Sequence, residues 1–447
     1  MSSYARKIKR EQERRQNKMK SNQVMVPKQI PQIQTSMAAT VNPPLVVNMG
    51  PTVLSAPPTI DPKQMEFQKV YQQLITQNQG KIQELNASIP PEKLKNLQER
   101  LVINYIADRN GCGYFRAIFP FELLAVMKNV MTINSFLYHT DPSTLTKVHT
   151  LRFQRQATNA QLQAWDRYIM IRKQYGFNYK MQYEIDDLLM EIEDYNVVAK
   201  QFFDEEKKQN HLKMLRSSDS ITFSTEALKK IYVEDYKIDG SKIKVVNNFL
   251  PQFLYSFPSR NSVKEFNSQN KMRVFWSGSA SHVGAGGDLE FLEPLIRKTV
   301  DKFQFVFQGV FPPSLTDLVK EGKIEFHPWS HIYGLSNIQF YKCRPDVFLA
   351  PLKPSRFNSC KSDLKLLESS ALGCPTITTS FRESGLKSPY EDNADICIEP
   401  NADHWESVLD HLSKNPDYYM EIVKNQYKFL NGRWMENNLD QWIQALL

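Results

Sequence analysis

The feature that most constrains this chain is an alternation of short, uncharged, β-branched and aromatic runs with amphipathic helical stretches, met twice over. The first series begins near residue 95 with RLVINYIA (100–107), the glycine turn NGCGYF (110–115) and the helical RAIFPFELLAVMKNV (116–130). It continues through TKVHTLRFQ, NAQLQAWDRYIMIRKQYG, NYKMQYEIDD, SSDSITFST, EALKKIYV and KIKVVNNF. Strands separated by helices imply a parallel sheet covered on both faces. The polar, helix-poor stretch 256–271 ends the series, and a second begins with MRVFWSGS, DLEFLEPLIRKTVDKF, QFVFQGV and PPSLTDLVKEG, then KIEFHPW and PDVFLAPL. The fold class is therefore α/β, with two Rossmann-like units in tandem facing a cleft.

At 447 residues and 41% apolar composition the chain can bury a sizeable core. No run of about 18 uncharged apolar residues occurs, and the N-terminus MSSYARKIKREQERRQNKMK carries charge where a signal peptide needs an apolar stretch. The expectation is a soluble cytoplasmic protein (host cytoplasm if viral) without a transmembrane segment. Cys112, Cys343, Cys360, Cys374 and Cys397 are scattered and show no CxxC spacing, which fits a reducing compartment.

The formal charge of +8 is concentrated at one end: eight Lys/Arg against Glu11 and Glu13 give the first twenty residues +6, leaving +2 for the rest. Residues 6–20 are either a solvated end or a contact for a polyanion. The organisation read from the sequence is a disordered basic and then Pro/Gln-rich arm (1–65) and a helical segment (66–95) with Phe67, Val70, Tyr71 and Leu74 at helical spacing. After these come an N-terminal α/β domain (96–255), a linker (256–271) and a C-terminal α/β domain (272–447).

The stretch PDVFLAPLKPSRFNSCKSDLKLLESSALGCPTITT (345–379) carries most of the chemistry. Val347 to Leu352 reads as a buried parallel strand and Lys353 to Cys360 as the loop leaving its carboxyl end, where open α/β sheets bind ligands. A helix starting near Ser359 would aim its free N–H groups into the same crevice. At 100° per residue Leu364, Leu367 and Ala371 form the core face, while Lys361, Lys365 and Glu368 form a stripe on the flank. That stripe is either an exposed i,i+4 charge pattern or the border of a site, lysine meeting a diphosphate and glutamate taking two sugar hydroxyls.

These residues resemble the donor-site helix of two-domain glycosyltransferases of the GT-B fold, of the family-4-like or group 1 kind. The resemblance spans roughly residues 100–447 and implies that Glu368, before SSALGCPTI, holds the nucleotide ribose. The usual second glutamate eight positions earlier is Cys360 here, followed by Lys361, so the match is to a branch with an N-x-x-K-S pattern, Asn358 to Ser362. Arg356, Asn358, Lys361 and Ser362 thus join Glu368 as expected donor-site residues, with Lys361 contacting phosphate or sugar. The same likeness assigns Gly278, Ser279 and His282 in VFWSGSASHVGAGGDLEFL to the donor site; taken alone, G-S-x-S-H is equally an ordinary strand-to-helix loop.

In ADRNGCGYFRAIFPFELL, Gly111, Gly113 and Arg116 form either a plain tight turn or a phosphate or acceptor loop. Asp186 and Asp187 either cap a helix or serve the acceptor as base or orienter. His327, Trp329 and His331 could serve a metal or stack on a ligand, while the resemblance places them in the loop bordering the nucleotide base, and RWMENNLDQWIQALL reads as a terminal helix docking on either domain. Nothing in the pattern demands a divalent metal or a cofactor beyond the co-substrate. The expected activity is metal-independent, retaining transfer from a nucleotide-diphosphate sugar to a hydroxyl acceptor, whether polysaccharide, protein or modified DNA base. The rivals are a sugar-nucleotide epimerase and a non-catalytic nucleic-acid-binding or scaffold protein with the same body.

Overall fold

The computed structural model describes residues 101–108, 111–127, 130–257, 262–284, 286–329 and 339–446. The N-terminal arm, the helical segment expected over 66–95 and His331 lie outside the described residues. Two six-stranded sheets carry the chain, both within one compact unit. The first runs β2-β1-β3-β4-β5-β6 across Thr132–Ser135, Val102–Tyr105, Thr150–Gln154, Lys180–Ile185, Ser220–Phe223 and Ile243–Val245. The second runs β12-β11-β10-β7-β8-β9 across Ile396–Ile398, Thr376–Thr379, Val347–Ala350, Arg273–Gly278, Gln304–Gly309 and Ile324–Pro328. Every pairing is parallel, in keeping with the alternating sequence pattern. Strands β2 (TINS) and β12 (ICI) were not legible beforehand, being short and, for β2, half polar.

Nine helices of eight residues or more cover the sheets among the described residues: α1 (Phe119–Met127), α2 (Asn159–Tyr175), α3 (Glu205–Ser217), α4 (Glu226–Glu234), α5 (Leu292–Thr299), α6 (Leu364–Leu372), α7 (Ala402–Lys414), α8 (Pro416–Asn431) and α9 (Leu439–Leu446). None of the described helices is long and apolar enough to cross a membrane. Their ends follow local chemistry: Thr158 forms a capping box with Gln161 at α2, which stops at the left-handed Gly176. The segment expected as a glycine turn at 110–115 is instead helical from Gly111, with a π-helical stretch Tyr114–Ile118 leading into α1.

One face of the first sheet is apolar, with Ile103, Leu151, Phe153, Met181, Tyr183 and Ile221 in a single core cluster. The other face is buried but polar: Asn104, Arg152, Gln182, Glu184 and Thr222 lie under α1 and the terminal helix. The chain reaches that face because it crosses back after α8. Leu250 and Met435 exchange backbone bonds with Arg433 and Leu250 across the two halves, and α9 then packs Trp442 against Phe121. Gln182 Nε2 donates to the Ala445 carbonyl at 2.6 Å, meeting a helix-end acceptor that would otherwise be buried without a donor. So the terminal helix docks on the first sheet.

Candidate functional site

A cleft of about 890 Å³ opens at the carboxyl ends of both sheets. It lies at the switch points, where the order reverses between β1 and β3 in one sheet and between β7 and β10 in the other. There the connections leave in opposite directions and part the loops.

On the second sheet's side, β7 ends at Gly278, where an added Cβ would fall 2.5 Å from the Trp276 ring, so the strand can end against that indole only as glycine. Ser279 follows, its hydroxyl 2.7 Å from that of Ser281. His282 Nδ1 lies 2.6 Å from Asp288 Oδ2. Burial lowers the imidazole pKa against the pull of Asp288, so the ring is neutral, donates Nδ1–H to the carboxylate and keeps Nε2 as an acceptor. Asp288 itself is buried yet held below the usual carboxylate range by His282, the Lys353 amide and Lys361. Its Oδ1 accepts from Lys353 N (2.8 Å), Asn358 Nδ2 (2.9 Å) and Tyr195 Oη (3.1 Å), tying both cleft loops to a tyrosine of the first half. Asn358 is thus fully buried, holding the loop rather than forming a cleft surface.

Helix α6 starts at Leu364, not near Ser359; a separate helical turn, Arg356–Ser359, precedes it. The break comes from Asp363, whose carboxylate is forked by Arg433 at 2.8 and 3.0 Å instead of capping the helix. Past the break, Lys361, Ser362, Lys365 and Glu368 all line the cleft, while Leu367 and Ala371 enter the core shared with α9. Ser362 accepts from Asn248 Nδ2 at 2.7 Å. Lys361 Nζ sits 4.8 Å over the Phe357 ring and 3.9 Å from Asp187 across the cleft. Lys365 donates to the Ser277 carbonyl; burial holds its ammonium below the ordinary lysine pKa, Glu368 raises it and Lys361 lowers it further. Glu368 is 7% exposed and accepts from Tyr255 Oη at 3.0 Å.

Arg356 departs from its expected place. It points away to Glu191 (2.9 Å) and Asp235 and is absent from the cleft lining. The reason is positional: it opens the short turn that faces the first half's outer helices.

On the first sheet's side, Gly111 and Cys112 line the cleft and the Gly113 N–H donates to Asp108 Oδ1 at 3.0 Å. A Cβ at Gly113 would strike the Asp108 carbonyl at 2.1 Å, so glycine is needed for the helical turn to begin so soon after β1. Arg116, expected at the cleft surface, is fully buried: Nε donates to Glu184 Oε1 (2.7 Å), Nη1 to the Val246 carbonyl (2.5 Å) and Asn248 Oδ1 (3.0 Å), and the guanidinium lies 4.8 Å over Trp442. Arg116 is nonetheless part of the cleft lining, and its buried Nη2 has no hydrogen-bond acceptor.

Asp186 and Asp187 follow β4 and both line the cleft. Between them lies Arg155, a residue with no sequence signal, in a left-handed conformation (φ 49°) that non-glycine residues seldom adopt. Its Nε is 2.5 Å from Asp186 Oδ1, off the hydrogen-bond axis, and Nη2 donates to Asp187. Burial raises the Asp186 pKa beyond what Arg155 offsets, whereas Lys361 and Arg155 together bring Asp187 below the usual range despite its burial. Asp187 is therefore held as a carboxylate. Cys112, Asp186 and Asp187 bring three potential metal ligands within 4.8 Å of one another. Burial, however, keeps the Cys112 thiol protonated, and Arg155 already supplies the positive charge.

The fold is similar to that of HepE of Anabaena. Its complex with UDP-glucose superposes at a TM-score of 0.52 with 10% identity, over 77% of this chain and 99% of that one. Its complex with UDP and glucose gives 0.50 and 11% identity, over 77% and 97%. No protein-family model and no curated protein sequence matches. At such identity the likeness is one of architecture, and with two parallel sheets flanking a cleft it shows that the chain has the GT-B fold.

Proposed function

We propose that the chain is a glycosyltransferase moving a sugar from a nucleotide-diphosphate sugar to a hydroxyl acceptor. One observation carries the reading: Lys361, just ahead of α6, and Lys365 and Glu368, on one flank of it, line the same cleft as the glycine-ended loop after β7. Two ammonium groups offer charge to a diphosphate, and a carboxylate one turn on accepts hydroxyl hydrogens, as recognition of a nucleotide ribose requires. That HepE was solved with UDP and with UDP-glucose supports a nucleotide sugar as donor.

In this reading the leaving diphosphate gains negative charge, which Lys361 and Lys365 meet in a partly dehydrated wall, each contact contributing about 2–4 kcal/mol by analogy with oxyanion donors. Asp187, ionised and facing Lys361, orients or deprotonates the acceptor hydroxyl, and neutral His282 accepts a sugar hydroxyl at Nε2. No divalent ion enters the step, because Arg155 occupies the position between the carboxylates that a cation would take. Retention of anomeric configuration belongs to the reading through the N-x-x-K-S branch, and NMR of the first-formed anomer tests it. Polyanion contact through residues 6–20 is accessory to it: transfer persists when residues 1–65 are removed, while retention on heparin is lost.

The deciding experiment is a thermal-shift series with UDP, GDP, ADP and their glucose conjugates, followed by donor-hydrolysis assays. Ligand bound to the native state alone raises the midpoint, so one base gives a clear rise. If no nucleotide moves the midpoint and no donor is hydrolysed, the assignment falls.

A further inference from the structure

The two ends of the cleft differ in chemistry. The second half supplies the lysines and Glu368; the first half supplies a short helix, Val197–Phe202, of which no residue is buried and which neighbours the Ala280–His282 turn after β7. Val197, Val198 and Phe202 are 55%, 40% and 66% exposed, an unusual cost for three apolar side chains in one six-residue helix. Val198, Ala199 and Phe202 line the cleft, with Leu189 and Ile192 beside them.

The segment is placed deliberately. Tyr195 bonds Asp288 of the second half, and Asn196 caps the helix through Ala199 N at 3.1 Å. Of the cations nearby, Lys200 pairs with Asp194 and Lys207 with Asp204, while Lys353 sits 5.5 Å over the Tyr195 ring. What faces the cleft here is an apolar shelf edged by the Lys207–Asp204 pair, on the same cleft lining as Asp186 and Asp187. Among the described residues lining this end of the cleft, Arg116, Arg155 and Lys207 each already have a carboxylate partner, which leaves a polyanionic acceptor little to bind.

We propose that Val198, Ala199 and Phe202 form the acceptor's subsite, and that the acceptor hydroxyl is carried on an apolar body, an alkyl chain or an aromatic ring. This rests on the transferase reading above. A purely polar saccharide would leave the shelf wet, whereas an apolar aglycone covers it while its sugar hydroxyl reaches Asp187.

The test uses the full chain with hexyl β-glucoside, phenyl β-glucoside and free glucose, followed by saturation-transfer NMR, alongside UDP binding by calorimetry. The expected result is binding of the hexyl or phenyl glucoside about tenfold tighter than glucose, the preference falling most of the way in Phe202→Ala and in Val198→Ser with UDP affinity unchanged. The hexyl and phenyl arms separate a chain from a ring as the preferred body. Equal binding of glucose and both glucosides, or an unaltered preference in both variants, overturns the shelf while leaving the donor reading intact. A preference that vanishes with the variants although no nucleotide binds would keep the shelf and sink the donor reading. A drop of several degrees in the unfolding midpoint of Phe202→Ala would show the chain itself covering the shelf, and would overturn the proposal.

Discussion

Glu184 and Glu368 are both almost wholly buried glutamates beside the cleft, each with lysine or arginine neighbours, yet they are used in opposite ways. Glu184 is closed off: Arg116 takes Oε1, and Arg152 and Thr222 share Oε2. Glu368 accepts from Tyr255 and lies along the cleft wall with Lys365 and Lys361. The difference teaches that burial of charge does not by itself mark a site. What marks it is whether the carboxylate lines an open cleft, as Glu368 does and Glu184 does not.

The sharpest way to break that comparison is to remove Glu184. Glu184→Ala leaves two guanidinium groups buried under Trp442 without their counter-charge, and the loss should be about 3–5 kcal/mol of stability. Chemical denaturation reads it, and a triple replacement of Arg116, Arg152 and Glu184 by apolar residues of similar size should recover most of the loss. A Glu184→Ala variant as stable as the parent would mean that the triad is not structural. Next in size, Glu368→Gln and Lys361→Ala should each reduce turnover about 10²- to 10³-fold with the unfolding midpoint nearly unchanged. Lost stability with normal turnover would place Glu368 in the same class as Glu184.

The same contrast explains what the sequence could reveal. The helical period put Lys365 and Glu368 on one flank of α6 and Leu367 and Ala371 on the core side, as local geometry decides, but Lys361 reaches the cleft from the break ahead of the helix, and Leu364, expected in the core, is only partly buried and lines the cleft. Alternation of strand and helix likewise yields both sheets. Arg116 lines the cleft as expected, but its complete burial was not legible, because its partners, Glu184 and Asn248, lie 68 and 132 positions away, and no local pattern encodes a pairing across a sheet. The start of α6 was misplaced for a similar reason, since Arg433 holds Asp363 from 70 positions downstream. Arg155 is invisible in sequence because its role depends on a left-handed backbone that nothing around it announces.

A smaller effect sharpens the comparison through pH. Lys365 has its pKa lowered by burial below the ordinary lysine value of 10.5. Diphosphate affinity needs the ammonium form, so UDP binding should weaken as pH rises through an interval beginning below that value. The native state binds fewer protons than the unfolded one over this interval, so Lys365's own contribution to stability rises over the same climb. Affinity and stability thus move in opposite directions. Lys365→Arg should abolish the alkaline loss of UDP affinity measured by calorimetry, and an unchanged alkaline limb in that variant would remove Lys365 from the donor site.

The least change is expected on chelation. If Arg155 serves the Asp186–Asp187 pair as its resident cation, EDTA should leave wild-type turnover within about twofold, because no ligand set is left for a divalent ion to complete. Arg155→Met removes that cation from two buried carboxylates. Asp187, kept ionised by Lys361 and Arg155, should then titrate at higher pH, and the acid limb of the pH–rate profile should move upward. The variant should also gain affinity for Mn²⁺ that the parent lacks, since Cys112, Asp186 and Asp187 would be freed to ligate. A parent enzyme silenced by EDTA and restored by Mn²⁺ would reverse the argument, making Arg155 a partner of a metal centre and the first sheet's carboxylates, not the second sheet's lysines, the groups that carry the diphosphate.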